Sequence, residues 1–166
     1  RKVYFPKQGM NAPIRTQAVL YCRVSSPQQK KEGHGLDSQE HRGRQYAEGQ
    51  RYTVVGVLKD DITGGRVVSP GMDGLLQFLE KHSTTEQPIV VIMDDIKRWA
   101  RDVEVHFYLR AAVKARNGTL ESPNFKFGDS PEDKFYETIM AASSELERNQ
   151  NKRQVIQKMK ARLENG

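Results

Sequence analysis

Cysteine is nearly absent: Cys22 is the only one among 166 residues. Without a second thiol, neither an intrachain disulfide nor a cysteine-based zinc site can form, which suits a reducing compartment. The four histidines show no ligand-like spacing, and neither an HExxH helix nor a GxxxxGK(S/T) phosphate loop occurs. Metal catalysis and nucleotide hydrolysis therefore lack their usual residues. No apolar run approaches the roughly 18 residues of a membrane span, no charged-then-apolar leader opens the chain, and no internal repeat or low-complexity segment stands out. These absences lead to the expectation of a cytoplasmic protein with no membrane, metal or cofactor partner.

What is present is charge. Lys and Arg number 27 against 21 Asp and Glu, a net +6, and 29% of residues are charged against 36% hydrophobic. That composition fits one rather polar domain with an appendage, and the basic excess favours a polyanion, with nucleic acid as the first candidate. The chain opens at Arg1 and stops inside a helical pattern at Gly166, which reads as a piece of a longer protein.

Residues 1–15, with two prolines, one glycine and no periodicity, read as a tail or cloning remnant. "TQAVLYCRV" (16–24), "YTVVGVLK" (52–59) and "PIVVIM" (88–93) are apolar strands, and "TLESP" is a fourth, short one. Between them, "DSQE" (37–40) has the form of a capping box, with Asp37 as cap and Glu40 reaching back, opening a helix to about Gly49. Met72, Leu75, Leu76 and Leu79 mark the buried face of a second helix, and Val105, Leu109, Ala112 and Val113 that of a third, closing at Asn117-Gly118. Alternation of strands and helices, with strands apolar throughout, predicts an α/β fold: a mainly parallel sheet of about four to five strands with helices on both faces. Ser130 and Pro131 then start a long C-terminal helix without a breaker before Asn165. Its first half offers Phe135, Ile139, Ala142 and Leu146 to a partner surface. From Glu147 onward six basic residues oppose two acidic ones, so +4 of the net charge lies on the protruding end.

In parallel sheets ligands meet the loops beyond the carboxyl ends of the strands, where "YCRVSS", "DDITGG" and "DDIKRWARD" all fall. A phosphodiester transition state carries charge that arginine forks bind bidentately at any relevant pH. Arg23, Arg98 and Arg101 are the candidates, with Ser25 beside Arg23 as nucleophile. Each motif taken singly also has a structural reading: a strand end, a turn, and a solvated helix start in which Trp99 packs into the core. The long helix alone would equally suit a helical assembly domain.

Together these residues resemble the serine recombinases: the resolvases, DNA invertases and large serine integrases. The likeness runs from about Gln17 to Leu163 and is closest to the catalytic domain of the integrase type. "YCRVSSPQQ" resembles the family's Tyr-x-Arg-Val-Ser segment, "GLDSQEHRGRQYA" its first helix, "DDITGG" its aspartate loop, "KRWARD" its Arg-x-x-Arg-Asp signature, and "ELERNQNKRQ" the Glu-Arg segment of its long helix. The resemblance implies an enzyme that breaks and rejoins DNA without metal or cofactor, Ser25 forming a 5′ phosphoserine. Arg23, Arg98 and Arg101 would hold the phosphate, Asp102 ends the signature, and Gln39, Asp60 and Asp95 would orient the arginines. No histidine stands at a matching position for a general base. It implies a catalytic domain over 16–129 and, over 130–166, a helix that joins subunits into a homodimer and homotetramer on double-stranded DNA. Arg148, Lys152, Arg153, Lys158 and Lys160 would face that DNA, and a DNA-binding region is expected downstream. Ser69 stands where many members carry arginine, with Arg66 three residues upstream, and Lys97 stands where an aspartate is usual. The alternative these departures open is a weakened or inactive DNA-binding and oligomerisation module.

Overall fold

The computed structural model describes residues 15–24, 35–61, 69–96, 99 and 103–165. Ser25, Arg66, Lys97, Arg98, Arg101 and Asp102 lie outside the described residues, as does the tail over 1–14.

Four strands, β1 (Gln17–Val24), β2 (Thr53–Asp61), β3 (Ile89–Met93) and β4 (Gly118–Glu121), form one sheet in the order β2-β1-β3-β4. Every pairing is parallel. Helices α1 (Leu36–Gly49), α2 (Pro70–His82) and α3 (Val103–Ala115) make the crossovers, and α4 (Pro131–Asn165) follows. The expected α/β architecture is thus the observed one, with four strands among the described residues.

Alternation along the strands divides the core. Val19 and Tyr21 of β1 with Val91 and Met93 of β3 face α2 and α3, whereas Ala18, Leu20, Val90 and Ile92 face α1 and its Ala47. At Gly43, α1 lies close on the sheet: a Cβ there would lie 3.1 Å from Leu20 Cδ2, so the missing side chain lets the helix seat tightly. Because the chain leaves β1 toward β2 and returns on the other side through β3, the order reverses between β1 and β3. Their carboxyl ends flank the crevice where α/β folds bind ligands.

One local reading changes. The capping box does not form: α1 begins at Leu36 with Gly35 as N-cap and no side-chain cap bond. Lys59 near the end of β2 takes both carboxylates instead, at 2.8 Å from Asp37 and 2.7 Å from Glu40. Two other expected helix ends form: Ser130 Oγ accepts from Asp133 N, and Asn117 closes α3 in the left-handed region with φ 56°. Ser69, not read as a cap from the sequence, caps α2, its Oγ accepting from Met72 N.

At 1.5 Å per residue, the 35 residues of α4 span roughly 50 Å. Its first half packs on the body through buried Glu137, Ala141 and Ser144, whereas residues 151–164 are exposed. Phe135, Ile139 and Leu146 stand 69%, 47% and 58% exposed on the opposite side. No described helix is long and apolar enough to cross a membrane.

Candidate active site

Arg23 is the penultimate residue of β1, half-buried at the reversal of strand order. Gln39, fully buried on α1, grips its main chain at two points. Arg23 N donates to Gln39 Oε1 at 3.0 Å, and Gln39 Nε2 donates to Arg23 O at 2.9 Å. A strand end whose peptide groups would otherwise have run out of sheet partners is thereby satisfied and held in one orientation. The guanidinium is fixed separately, Nη1 donating to the Trp99 carbonyl at 3.2 Å. Trp99 is fully buried and meets Tyr21 edge-on with ring centroids 5.8 Å apart, so it is a core residue rather than a base-stacking one. Its amide closes a turn on Ile96 O at 3.1 Å.

Asp60, opposite Arg23 in the β1–β2 register, is buried at the end of β2. Oδ2 accepts from Tyr21 Oη at 2.7 Å and from Ser69 Oγ, and Oδ1 accepts from Gly71 N at 2.8 Å. These bonds tie β1, β2 and the first turn of α2 together, and a carboxylate at a helix N-terminus is favoured by the helix dipole. Ser69, where many relatives in the resemblance carry arginine, is therefore occupied as cap and as Asp60's donor. Burial first, and the Asp60 charge next, push the Tyr21 phenol well above its ordinary range.

At the end of β3 it is Asp94 that meets an arginine of the body. Arg42, three residues after Gln39 on α1, donates from Nε at 2.6 Å to Oδ1 and from Nη2 at 2.7 Å to Oδ2, a two-pronged bridge. The Asp94 carbonyl also accepts from Ser122 Oγ at 3.0 Å and Asn124 Nδ2 at 2.7 Å. Asp95, the residue chosen from the sequence, is half-buried beside it. Sequence reasoning passed over Arg42 and Asp94. The available signal was the three-residue spacing that puts Arg42 on the face of α1 that carries Gln39.

Of the residues chosen from the sequence, the structure thus brings Gln39 to Arg23, sets Asp60 across the register from it, and leaves Asp95 at the neighbouring strand end. Ser25 follows directly on the last residue of β1, while Arg98 and Arg101 flank buried Trp99 in sequence; all three lie outside the described residues. The basic residues Lys152, Arg153, Lys158 and Lys160 are exposed on α4, and Arg148 is half-buried, Nε donating to Ser144 O at 3.2 Å.

A strand-end arginine held from both main chain and guanidinium, at the switch point of a parallel four-stranded sheet with a long trailing helix, agrees with a family match. The description "Resolvase, N terminal domain" covers residues 18–166. The chain belongs to the resolvase family. Among solved structures, the C-terminal catalytic domain of ISC1926 TnpA, an IS607-like serine recombinase, is 27% identical to this resolvase-family chain. The alignment covers 74% of this chain and 78% of that one, with a TM-score of 0.53. The N-terminal catalytic domain of TP901-1 integrase is 23% identical, covering 81% and 98% of the two chains with a TM-score of 0.58. A resolvase family site-specific recombinase from Streptococcus pneumoniae is 21% identical over 89% and 99%, with a TM-score of 0.56. The last two share its fold. No curated protein matches the chain. The resolvase-family domain is accordingly of the serine recombinase catalytic type.

Proposed function

We propose that this domain breaks and rejoins DNA through Ser25. The single observation that supports it most is the immobilised Arg23, two residues before a serine at the strand end, with Gln39 on its main chain and Trp99 on its guanidinium. In this reading Ser25 Oγ attacks the scissile phosphorus, the P–O3′ bond breaks, and the 3′ oxygen leaves as a hydroxyl once it takes a proton. The phosphate remains esterified to Ser25 at the 5′ end of the broken strand. A 3′ hydroxyl from an exchanged strand then attacks that ester and returns Ser25 to its free form. One phosphate ester replaces another in each step, so no external energy source is required. Arg23, Arg98 and Arg101 bind the equatorial oxygens, and each such donor is worth on the order of a hundredfold in rate. Positive charge around Ser25 favours its alkoxide by proximity.

Partners follow from α4. The exposed Phe135, Ile139, Ala142 and Leu146 stripe is the surface for further copies of the chain, in a homodimer and a homotetramer on DNA. Beyond it Arg148, Lys152, Arg153, Lys158 and Lys160 follow the DNA backbone. Target sequence would be read by a region downstream, because phosphate contacts carry affinity but no sequence information directly. Residues 16–129 then form the catalytic domain and 130–166 the assembly helix, in a protein working on DNA in the cytoplasm.

The test is incubation of the full chain with nicked double-stranded DNA, followed by denaturing electrophoresis. The expected result is a covalent protein–DNA band that is lost in Ser25→Ala and reduced in Arg23→Ala. A band that persists in Ser25→Ala overturns the reading. No band with any DNA pool supports the inactive module, in which Ser69 and Lys97 mark a site no longer used.

A further inference from the structure

Trp99 stands between Arg23 and the long helix. While its carbonyl receives Arg23, its indole Nε1 donates in the other direction, to the main-chain carbonyl of His106 on α3 at 3.3 Å. His106 is buried, and its Nε2 lies 2.6 Å from Glu137 Oε1 on α4. Glu137 has no exposed surface at all. Arg110, one turn beyond His106, puts Nε 3.3 Å from the same oxygen, while Glu137 Oε2 has no hydrogen-bond partner among the described residues. Nearby, Glu145 of α4 accepts from Val103 N, the first amide of α3, at 3.3 Å.

Packing does not call for this arrangement. The neighbouring contacts of α4 on the same face use the small residues Ala141 and Ser144, and a buried ion pair seldom outdoes apolar packing of equal volume. What the buried Arg110, Glu137 and His106 cluster supplies is fixed geometry, and here the fixed element is α3, whose His106 carbonyl accepts from the indole of the residue whose own carbonyl receives Arg23.

We propose that Glu137 and His106 are positioning residues for Arg23. Glu137 on the long helix sets His106, the His106 carbonyl sets the Trp99 indole, and the Trp99 carbonyl sets the guanidinium at the strand end. The inference rests on the proposed role of Arg23 at the scissile phosphate. It makes the first half of α4 part of the phosphate-binding apparatus without touching DNA there.

Because Trp99 is the only tryptophan, its indole N–H resonance reports the middle of the chain without ambiguity. The experiment compares the full chain with Glu137→Leu, which removes both oxygens, and Glu137→Gln, which keeps one toward His106. Adduct formation on nicked DNA is measured at saturating DNA, together with DNA affinity and the Trp99 indole and Arg23 Nε resonances. The expected result for Glu137→Leu is a rate lower by about tenfold or more with affinity changed less than about twofold, the pattern of a misplaced transition-state contact. Its indole and Arg23 resonances shift, and Glu137→Gln recovers most of the rate. Unmoved resonances, or a rate and affinity that fall together with the folded fraction, overturn it. Should Glu137→Leu not fold, His106→Gln carries the test: shifted Trp99 and Arg23 resonances support the chain of contacts, and unshifted ones sink it. If the wild type forms no adduct, it is the function reading that has failed. The resonances alone then decide whether Glu137 governs Arg23.

Discussion

Gln39 shows how a single side chain holds the end of a strand. Its amide offers one acceptor and one donor, and Arg23's peptide groups use both. Glutamate at this position keeps the acceptor and loses the donor, leaving the Arg23 carbonyl without its partner beside a buried charge. We expect Gln39→Glu to lower unfolding free energy by roughly 1–3 kcal/mol, seen as a lower urea midpoint at unchanged slope. Cys22, one residue earlier, points to the other side of β1. Burial first, and then the Glu40 carboxylate, push its thiol up to about 12. Tyr46, whose hydroxyl donates to Glu121 at 3.0 Å, is likewise pushed up to about 12, mainly by burial. Both groups hold their protons in the folded chain at pH values where the unfolded chain, with ordinary values of roughly 8.5 and 10, has lost them. Their contribution is complete below about pH 8.5 and is lost as pH rises toward 12. Urea midpoints measured from pH 8 to 11 should therefore fall, and fall less steeply in Cys22→Ala. A flat profile would contradict the assignment.

Among the elements, the junction of β2 with α2 is the most tightly specified. Asp60 fastens Tyr21, Ser69 and the Gly71 amide, and a Cβ on Gly71 would overlap the Asp60 carboxylate. Gly71→Ala must push that carboxylate away from its donors and should cost roughly 1–3 kcal/mol by thermal or urea unfolding. An unchanged midpoint would mean that the carboxylate is not the element's anchor. The helices and strands themselves were legible in the sequence because burial on a strand or helix face leaves a local period. Met72, Leu75, Leu76 and Leu79 all proved buried, and Asn117 closed its helix. The capping box misled because the competing partner, Lys59, comes from another element 22 residues from Asp37. The contacts that sharpen the site were invisible for the same reason: Tyr21 to Asp60, Arg42 to Asp94 and His106 to Glu137 join residues 39, 52 and 31 positions apart. No periodicity records such pairs. The family likeness pointed to Arg23, Gln39 and Asp60 as functional, but not to what holds them.

At the scale of the whole molecule, α4 is the feature a compact domain does not need. Its buried Glu137, Ala141 and Ser144 fasten it to the body, the apolar Phe135, Ile139 and Leu146 are exposed, and so are Lys152, Arg153, Lys158 and Lys160 at its basic end. Counterion release makes binding by such an end fall steeply with salt. Replacing Lys152 and Arg153 with alanine should weaken binding to all DNA sequences alike and reduce the slope of log affinity against log salt by about 2, since each lost phosphate contact removes about 0.9. An unchanged slope would place the DNA elsewhere. The account as a whole depends on which atom the broken strand is joined to, and the most direct measurement is mass spectrometric mapping of the peptide covalently linked to DNA, together with polymerase extension from the opposite end of the break. A 5′ phosphate carried on Ser25 and an extendable 3′ hydroxyl are the predicted result; a phosphate on any other residue, or a blocked 3′ end, would contradict it.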